Sequence, residues 1–273
     1  MILVNGEQTN QIDIADRGLQ YGDGLFETIE VVAGLPVFFE QHLKRLQAGA
    51  DKLGIPFPEQ ALLHQEVKQL AKNQAKAVVK IILTRGTGGR GYKQPEKLSG
   101  TRIIALYDFP EYPPDYYSKG VNVRLCHYKL GINPYLAGIK HLNRLEQVLA
   151  RAEWSEDDIQ EGLMCAVDGR VIEATMSNLF IIKDQQLLTP IIDTCGVAGI
   201  IRQLIVEGGD HHHVHTKQTN LLLHDIYSAD ELFICNSIIG IWPIRQIDRR
   251  SFERGPITQK LKSWLTQLKK LKN

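Results

Sequence analysis

Lys140 stands in Asn133-Pro134-Tyr135-Leu136-Ala137-Gly138-Ile139-Lys140-His141-Leu142-Asn143-Arg144-Leu145-Glu146, an apolar, glycine-containing approach to a stretch with helical spacing. An amine in such surroundings is poorly solvated, and desolvation disfavours its charged form. A neutral amine can attack a carbonyl and form an imine. Taken alone, the composition favours an exposed lysine at a helix entry. Glu173 lies in Val171-Ile172-Glu173-Ala174-Thr175-Met176-Ser177-Asn178-Leu179-Phe180. A carboxylate between apolar strands is costly unless paired, although a surface turn would also accept it. Gly196-Val197-Ala198-Gly199-Ile200-Ile201-Arg202 can open a helix, where free N–H groups and the helix dipole favour an anion. By itself such a glycine pair says little. In Thr84-Arg85-Gly86-Thr87-Gly88-Gly89-Arg90-Gly91-Tyr92 the glycines let backbone approach a ligand, and Arg90 can grip a carboxylate through two hydrogen bonds. The alternative is a hairpin tip.

His211, His212, His213 and His215 form a separate cluster after Gly208-Gly209-Asp210. No Cys or acidic ligand follows at close spacing, and on a strand His212 would face away from its neighbours. No metal site is expected.

The elements that must hold these residues follow from periodicity. Ile2 to Val4 reads as a strand closed by an Asn5-Gly6 turn, and Phe26 to Val32 as another, turning at Ala33-Gly34. From Glu40 to Leu53 the apolar positions Leu43, Leu46, Ala50 and Leu53 have helical spacing, and Gly54 ends the helix. Residues 59 to 75 read as a second helix, and Val78 to Thr84 and Thr101 to Tyr107 as strands around the glycine-rich loop. Phe109-Pro110-Glu111-Tyr112-Pro113-Pro114-Asp115 suits a stiff connector. The expected organisation is an N-terminal α+β domain at 1–108, a connector at 109–119 and a second domain at 120–273. In the latter, a helix is expected from about Asn143 to Trp154 and strands at Val121 to Cys126, Leu163 to Val167, Asn178 to Lys183 and Glu231 to Asn236. Strands and helices alternate irregularly, so the fold class reads as α+β rather than a doubly wound sheet.

The bulk properties exclude more than they assert. A net charge of +1 gives no electrostatic case for nucleic acid or an anionic membrane. No apolar run reaches the length of a membrane span, and the N-terminus lacks the pattern of a signal peptide. Cys126, Cys165, Cys195 and Cys235 are too widely spaced for a zinc site or a disulfide framework. Reduced thiols in a cytoplasmic protein are expected.

These segments together resemble the class IV aminotransferases, the fold-type IV pyridoxal phosphate enzymes. The resemblance covers essentially the whole chain and implies a two-domain fold with the cofactor at the domain interface. It makes Lys140 the Schiff-base lysine and Glu173 the partner of the pyridine nitrogen. The Gly196 to Arg202 stretch resembles the family's Gly-x-x-x-Gly-Ile-Thr-Arg phosphate segment. The amides of Ile200 and Ile201 carry over, but Ile201 replaces the usual threonine. Arg45, in His42-Leu43-Lys44-Arg45-Leu46, matches the phosphate-binding arginine, and Ser237, in Cys235-Asn236-Ser237, a hydroxyl on the same group. Asn236 would lie near the substrate. Asp16-Arg17-Gly18-Leu19-Gln20-Tyr21-Gly22-Asp23-Gly24-Leu25-Phe26-Glu27 resembles the segment at the active-site mouth. Phe26 lacks the hydroxyl that D-amino-acid transaminases present there. Their substrate-carboxylate loop ends in Arg-x-His, matched here by Arg90 and Tyr92. Gly-Gly-Arg-Gly-Tyr looks instead like the version found in the family's lyases. The resemblance thus implies a lyase that converts 4-amino-4-deoxychorismate to 4-aminobenzoate and pyruvate. It also implies a homodimer in which Arg90 serves the neighbouring subunit's site. The alternative is amino transfer on D- or branched-chain amino acids.

Overall fold

On the strand Gly24–Val32 (β3), every second residue is buried: Leu25, Glu27, Ile29 and Val31 share one face. This strand organises the first of two units into which the computed structural model divides. The first comprises Met1–Pro110, Ile139–Asn143 and Lys269–Asn273, and the second Glu111–Gly138 and Arg144–Leu268. The structure describes residues 1–97, 99–208 and 215–271.

In the first unit β1 (Ile2–Val4), β2 (Glu7–Gln8), β3, β4 (Leu35–Pro36), β5 (Lys76–Thr84) and β6 (Thr101–Asp108) form an antiparallel sheet ordered β2-β1-β6-β5-β3-β4. β3 and β5 pair along their whole length, from Gly24 opposite Thr84 to Val32 opposite Lys76. A short helix α1 (Arg17–Tyr21) precedes β3, and α2 (Phe39–Leu53) follows β4. α2 buries Phe39, His42, Leu43, Leu46 and Ala50, the stripe expected of an amphipathic helix, and Gly54 ends it in the left-handed conformation. α3 (Gln60–Ala71) stops short of the residue 75 expected from periodicity. Asn73 adopts φ +67°, which no helix continues, and β5 begins at Lys76.

In the second unit, after α4 (Pro114–Ser118), come β7 (Val121–Leu125), α5 (Leu145–Arg151), β8 (Glu161–Cys165), β9 (Val171–Ala174), β10 (Asn178–Lys183) and β11 (Gln186–Pro190). Then follow α6 (Ile200–Gly208), β12 (Thr216–Thr219), α7 (Leu223–Tyr227), β13 (Glu231–Asn236), β14 (Gly240–Ile247), β15 (Arg250–Ser251) and α8 (Pro256–Leu271). The sheet order is β12-β11-β10-β13-β14-β7-β8-β9, and β9 also pairs with β10. The strands from β10 to β9 therefore close into a ring, which removes their free edges. The closing pair is Asn178 opposite Glu173. Trp242 on β14 is buried, with Tyr112, Tyr116 and Tyr117 meeting it edge-on at 4.8, 5.2 and 6.1 Å. The mixture of strands and helices agrees with the expected α+β class.

Candidate active site

The Lys140 segment belongs to the first unit and runs beside the start of β3. The Phe26 amide donates to the Lys140 carbonyl at 3.0 Å and the Leu142 amide to the Gly24 carbonyl at 2.9 Å. A Cβ at Gly24 would lie 2.7 Å from Leu142, so only glycine permits this approach. Lys140 is consequently held by strand pairing, and the helix begins only at Leu145 instead of the expected Asn143. The Asn143 side chain is engaged elsewhere, donating to the Gly22 carbonyl at 3.0 Å. The half-buried Lys140 Nζ lies 4.3 Å from the centroid of the Phe26 ring, which presents it with an aromatic face and no hydroxyl.

Arg45, expected to be an anion ligand, is clamped by an acid. Its Nε donates to Glu27 Oε1 at 2.8 Å, and its Nη2 to Oε2. His42, one helical turn before Arg45 on α2, places Nδ1 2.6 Å from the same Oε2. Burial alone would raise the Glu27 carboxyl, but Arg45 and His42 hold it at about 2. Burial pushes His42 down despite Glu27, so His42 is a neutral donor through Nδ1. Its buried Nε2 has no partner among the described residues. Neither Glu27 nor His42 stood out in the sequence, although an acid on the apolar face of an alternating strand was a legible signal.

Arg90 and Tyr92 project from the loop between β5 and β6, and Tyr92 is 89% exposed. The loop is held from α1 by Arg17, which like Glu27 and His42 did not stand out in the sequence. Asp23, which binds both Arg17 and Arg85, is pushed up by burial, yet the two arginines more than reverse this and hold it low.

In the second unit Glu173 is buried on β9. Its Oε2 accepts the Val197 amide at 2.8 Å, and Gln147 on α5 places Nε2 3.3 Å from Oε1. The Gly138 amide donates to the Gly196 carbonyl at 3.0 Å, and the Ala198 amide to the Gly138 carbonyl at 3.2 Å. The stretch that leads into Lys140 is thereby zipped to the one that leads into α6. Asn178 Nδ2 holds the Val197 carbonyl at 2.8 Å. Ile200 and Ile201 open α6, and their amides have no acceptor among the described residues. Arg202 points elsewhere: it is buried, and its Nη2 donates to the Pro190 carbonyl at 2.8 Å and to Gln218 at 2.9 Å.

Ser237 is half-buried in the turn between β13 and β14. Asn236 beside it is occupied as a turn former. Its Oδ1 accepts the amides of Ile238 and Ile239 at 2.8 and 2.9 Å, and its Nδ2 donates to the Met176 carbonyl and Ser177 Oγ. Ser177 in turn donates to Glu161, a fully buried acid that burial pushes up and that also takes the amides of Thr175 and Met176. His211, His212 and His213 lie outside the described residues. Among the described residues no cluster of three His, Cys, Asp or Glu could hold a metal.

The first unit thus offers an amine on an aromatic face, a guanidinium fixed by an acid, and an arginine-bearing loop. The second offers a buried carboxylate and a helix start with open amides. The model of the family described as amino-transferase class IV matches residues 24–247. The chain belongs to that family. The resemblance read from its motifs is therefore borne out.

Among proteins similar to this class IV chain is the aminodeoxychorismate lyase of Vibrio harveyi, 36% identical over 96% of this chain and 98% of that protein. Another is a putative branched-chain-amino-acid aminotransferase of Methanocaldococcus jannaschii, 30% identical over 96% of this chain and 93% of that one. The crystal structure of 4-amino-4-deoxychorismate lyase from Pseudomonas aeruginosa superposes with a TM-score of 0.94, at 42% identity and 98% coverage of both chains.

Proposed function

We propose that the protein is a pyridoxal-phosphate-dependent lyase that converts 4-amino-4-deoxychorismate to 4-aminobenzoate and pyruvate. The observation that carries this reading is near-complete coverage at 36% and 42% identity by proteins bearing that name in two organisms. The relative named as an aminotransferase is 30% identical, which keeps amino transfer as the rival.

Several features fit the cofactor. The open amides of Ile200 and Ile201 suit its phosphate, joined by Arg45 and Ser237. At Gly199 a Cβ would fall 2.0 Å from Asn178 Oδ1, and at Gly196 it would meet Ile172 at 2.7 Å. The helix start thus tolerates no side chain and leaves backbone as the ligand. Glu173 is a buried carboxylate suited to a protonated pyridine nitrogen. Bound pyridoxal phosphate supplies a carbonyl carbon that condenses with an amine and a ring that accepts the electrons of the bond being broken.

In this reading Lys140 anchors the cofactor, takes the proton from the amine-bearing carbon at Nζ and returns one to the departing pyruvate. Its placement against the Phe26 ring keeps that amine in partly apolar surroundings. Glu173 keeps the pyridine nitrogen protonated, and Arg90 and Tyr92 hold a substrate carboxylate. Asn236 shapes the turn beside Ser237.

We also propose a cytoplasmic homodimer. On α5 the exposed residues Leu145, Val148 and Leu149 fall at spacings of three and four, and Tyr135 is 84% exposed. A second copy would cover that apolar face. The four cysteines are free and buried, as a reducing compartment allows. No helix among the described residues is long and apolar enough to cross a membrane.

Incubation with aminodeoxychorismate, with detection of 4-aminobenzoate and pyruvate, tests the proposal. Glutamate formed from an amino acid and 2-oxoglutarate, with no 4-aminobenzoate, would establish the rival.

A further inference from the structure

Arg17 is a buried arginine that joins Asp23 to several carbonyls of one loop. Its Nε donates to Asp23 Oδ2 at 3.0 Å. Its Nη1 lies 3.0 Å from the Gly91 carbonyl and 3.4 Å from those of Gly88 and Lys93. Its backbone amide donates to the Gly86 carbonyl at 2.9 Å. The guanidinium carbon sits 4.9 Å from the Tyr21 ring centroid, and Tyr21 meets the Tyr92 ring edge-on at 5.7 Å.

Asp23 is fixed in turn by Arg85, at 2.7 Å from Nε and 3.0 Å from Nη2. Arg85 donates to the carbonyls of Leu53 and Gly54, both at 2.7 Å, where α2 ends. An unbroken chain of charged hydrogen bonds therefore runs from the end of α2 through Arg85, Asp23 and Arg17 to the loop.

Among the described residues the loop's other ties are few: a bridge between Asp16 and Thr87, the Gly86 amide donating to Thr84 Oγ1 at 3.0 Å and the Lys93 amide donating to the Arg90 carbonyl at 3.3 Å. Gly86, Gly88, Gly89 and Gly91 have positive φ, so the unfolded chain loses much backbone freedom here. Tyr92 is exposed and buries almost nothing. Three carbonyls aimed at one cation fix the backbone at positions 88, 91 and 93, on both sides of Arg90 and Tyr92. A Cβ at Gly89 would fall 2.3 Å from the Lys93 carbonyl oxygen and 3.2 Å from Arg17 Nη1, so the wrap is tight.

We infer that Arg17, oriented by Asp23, is a positioning residue that sets the loop from which Arg90 and Tyr92 grip the substrate carboxylate. The inference rests on the proposed role of those two residues. It adds that specificity at this end of the substrate is built on α1, away from the groups that touch it.

The test compares Arg17→Met, Arg17→Lys and Arg90→Met as cofactor-loaded enzymes. Hydrogen–deuterium exchange across 86–95 reads loop order, and steady-state kinetics read KM against kcat. In Arg17→Met the loop should exchange on the order of tenfold faster, and KM should rise by a similar factor with kcat changing less. Cofactor absorbance should be unchanged. Arg17→Lys should fall between, because one ammonium cannot serve Asp23 and all of the carbonyls. It supplies the same two readouts if the Met variant fails to fold. Wild-type exchange in both Arg17 variants would overturn the inference. So would a loosened loop with an unchanged KM, if Arg90→Met raises KM. If Arg90→Met itself leaves KM unchanged, the carboxylate reading of the loop fails and takes with it the substrate half of the inference, while exchange still decides whether Arg17 sets the loop.

Discussion

Arg45 donates from two nitrogens to Glu27, with Nε 2.8 Å from Oε1 and Nη2 bonded to Oε2. This fork immobilises on α2 the guanidinium proposed to meet the phosphate, and it places a buried charge pair under β3. The pair has a consequence for acid stability. The Glu27 carboxyl sits at about 2 in the folded protein, below its ordinary 4.5, so its stabilisation is complete above 4.5 and is lost as pH falls toward 2. His42 is depressed by burial, so the unfolded chain takes up its proton first as pH drops below 6.5. Both groups destabilise the fold as pH falls, in successive windows. The thermal midpoint of wild type should therefore drop more steeply as pH falls below 6.5 than that of His42→Asn. Parallel slopes would show that His42 is not buried neutral.

Lys140→Ala should lose the covalent link to the cofactor. Borohydride should fix cofactor to the Lys140 peptide of wild type and leave the Ala variant unlabelled. Turnover should fall by roughly a thousandfold or more, as expected when the amine that both attaches and moves protons is removed. A variant with wild-type turnover would refute the role of Lys140.

Glu173→Gln should keep the bond from the Val197 amide, because an amide oxygen can replace Oε2. Its new N–H group can donate to Gln147 Oε1, which is buried without a partner among the described residues. The fold and the affinity for pyridoxal phosphate should survive. The loss of charge should lower turnover by on the order of a hundredfold, the effect of about 2–4 kcal/mol in a transition state. Equal turnover in the two proteins would remove Glu173 as the nitrogen partner.

Gly199→Ala should weaken the cofactor's phosphate grip without touching Lys140. The added Cβ would fall 2.0 Å from Asn178 Oδ1, and Asn178 would have to release the Val197 carbonyl. Losing that bond and shifting the start of α6 should cost about 1–3 kcal/mol of stability. Phosphate-free pyridoxal should bind both proteins alike, whereas pyridoxal phosphate should bind the variant more weakly. An equal loss for both ligands would place the defect elsewhere.

The sequence alone carried what is local. Periodicity on α2 and alternation on β3 report which face of each element is buried, and Gly54 marks a helix end, because these depend on residues a few positions apart. The blocks around Lys140, Glu173 and Gly199 were legible only together, through their resemblance to one family, because each alone also admits a bland reading. Only the tertiary structure decided their partners. A period of two identifies the inner face of a strand but not its neighbour, so the pairing of Glu173 with Asn178 that closes the ring could not be read from alternation. Lys140 looked like a helix-entry residue, yet its carbonyl is held by Phe26, far away in the chain. Arg17, Asp23 and Arg85 resemble ordinary surface charges in sequence; burial converts them into a chain of ion pairs, because charges removed from water must find one another.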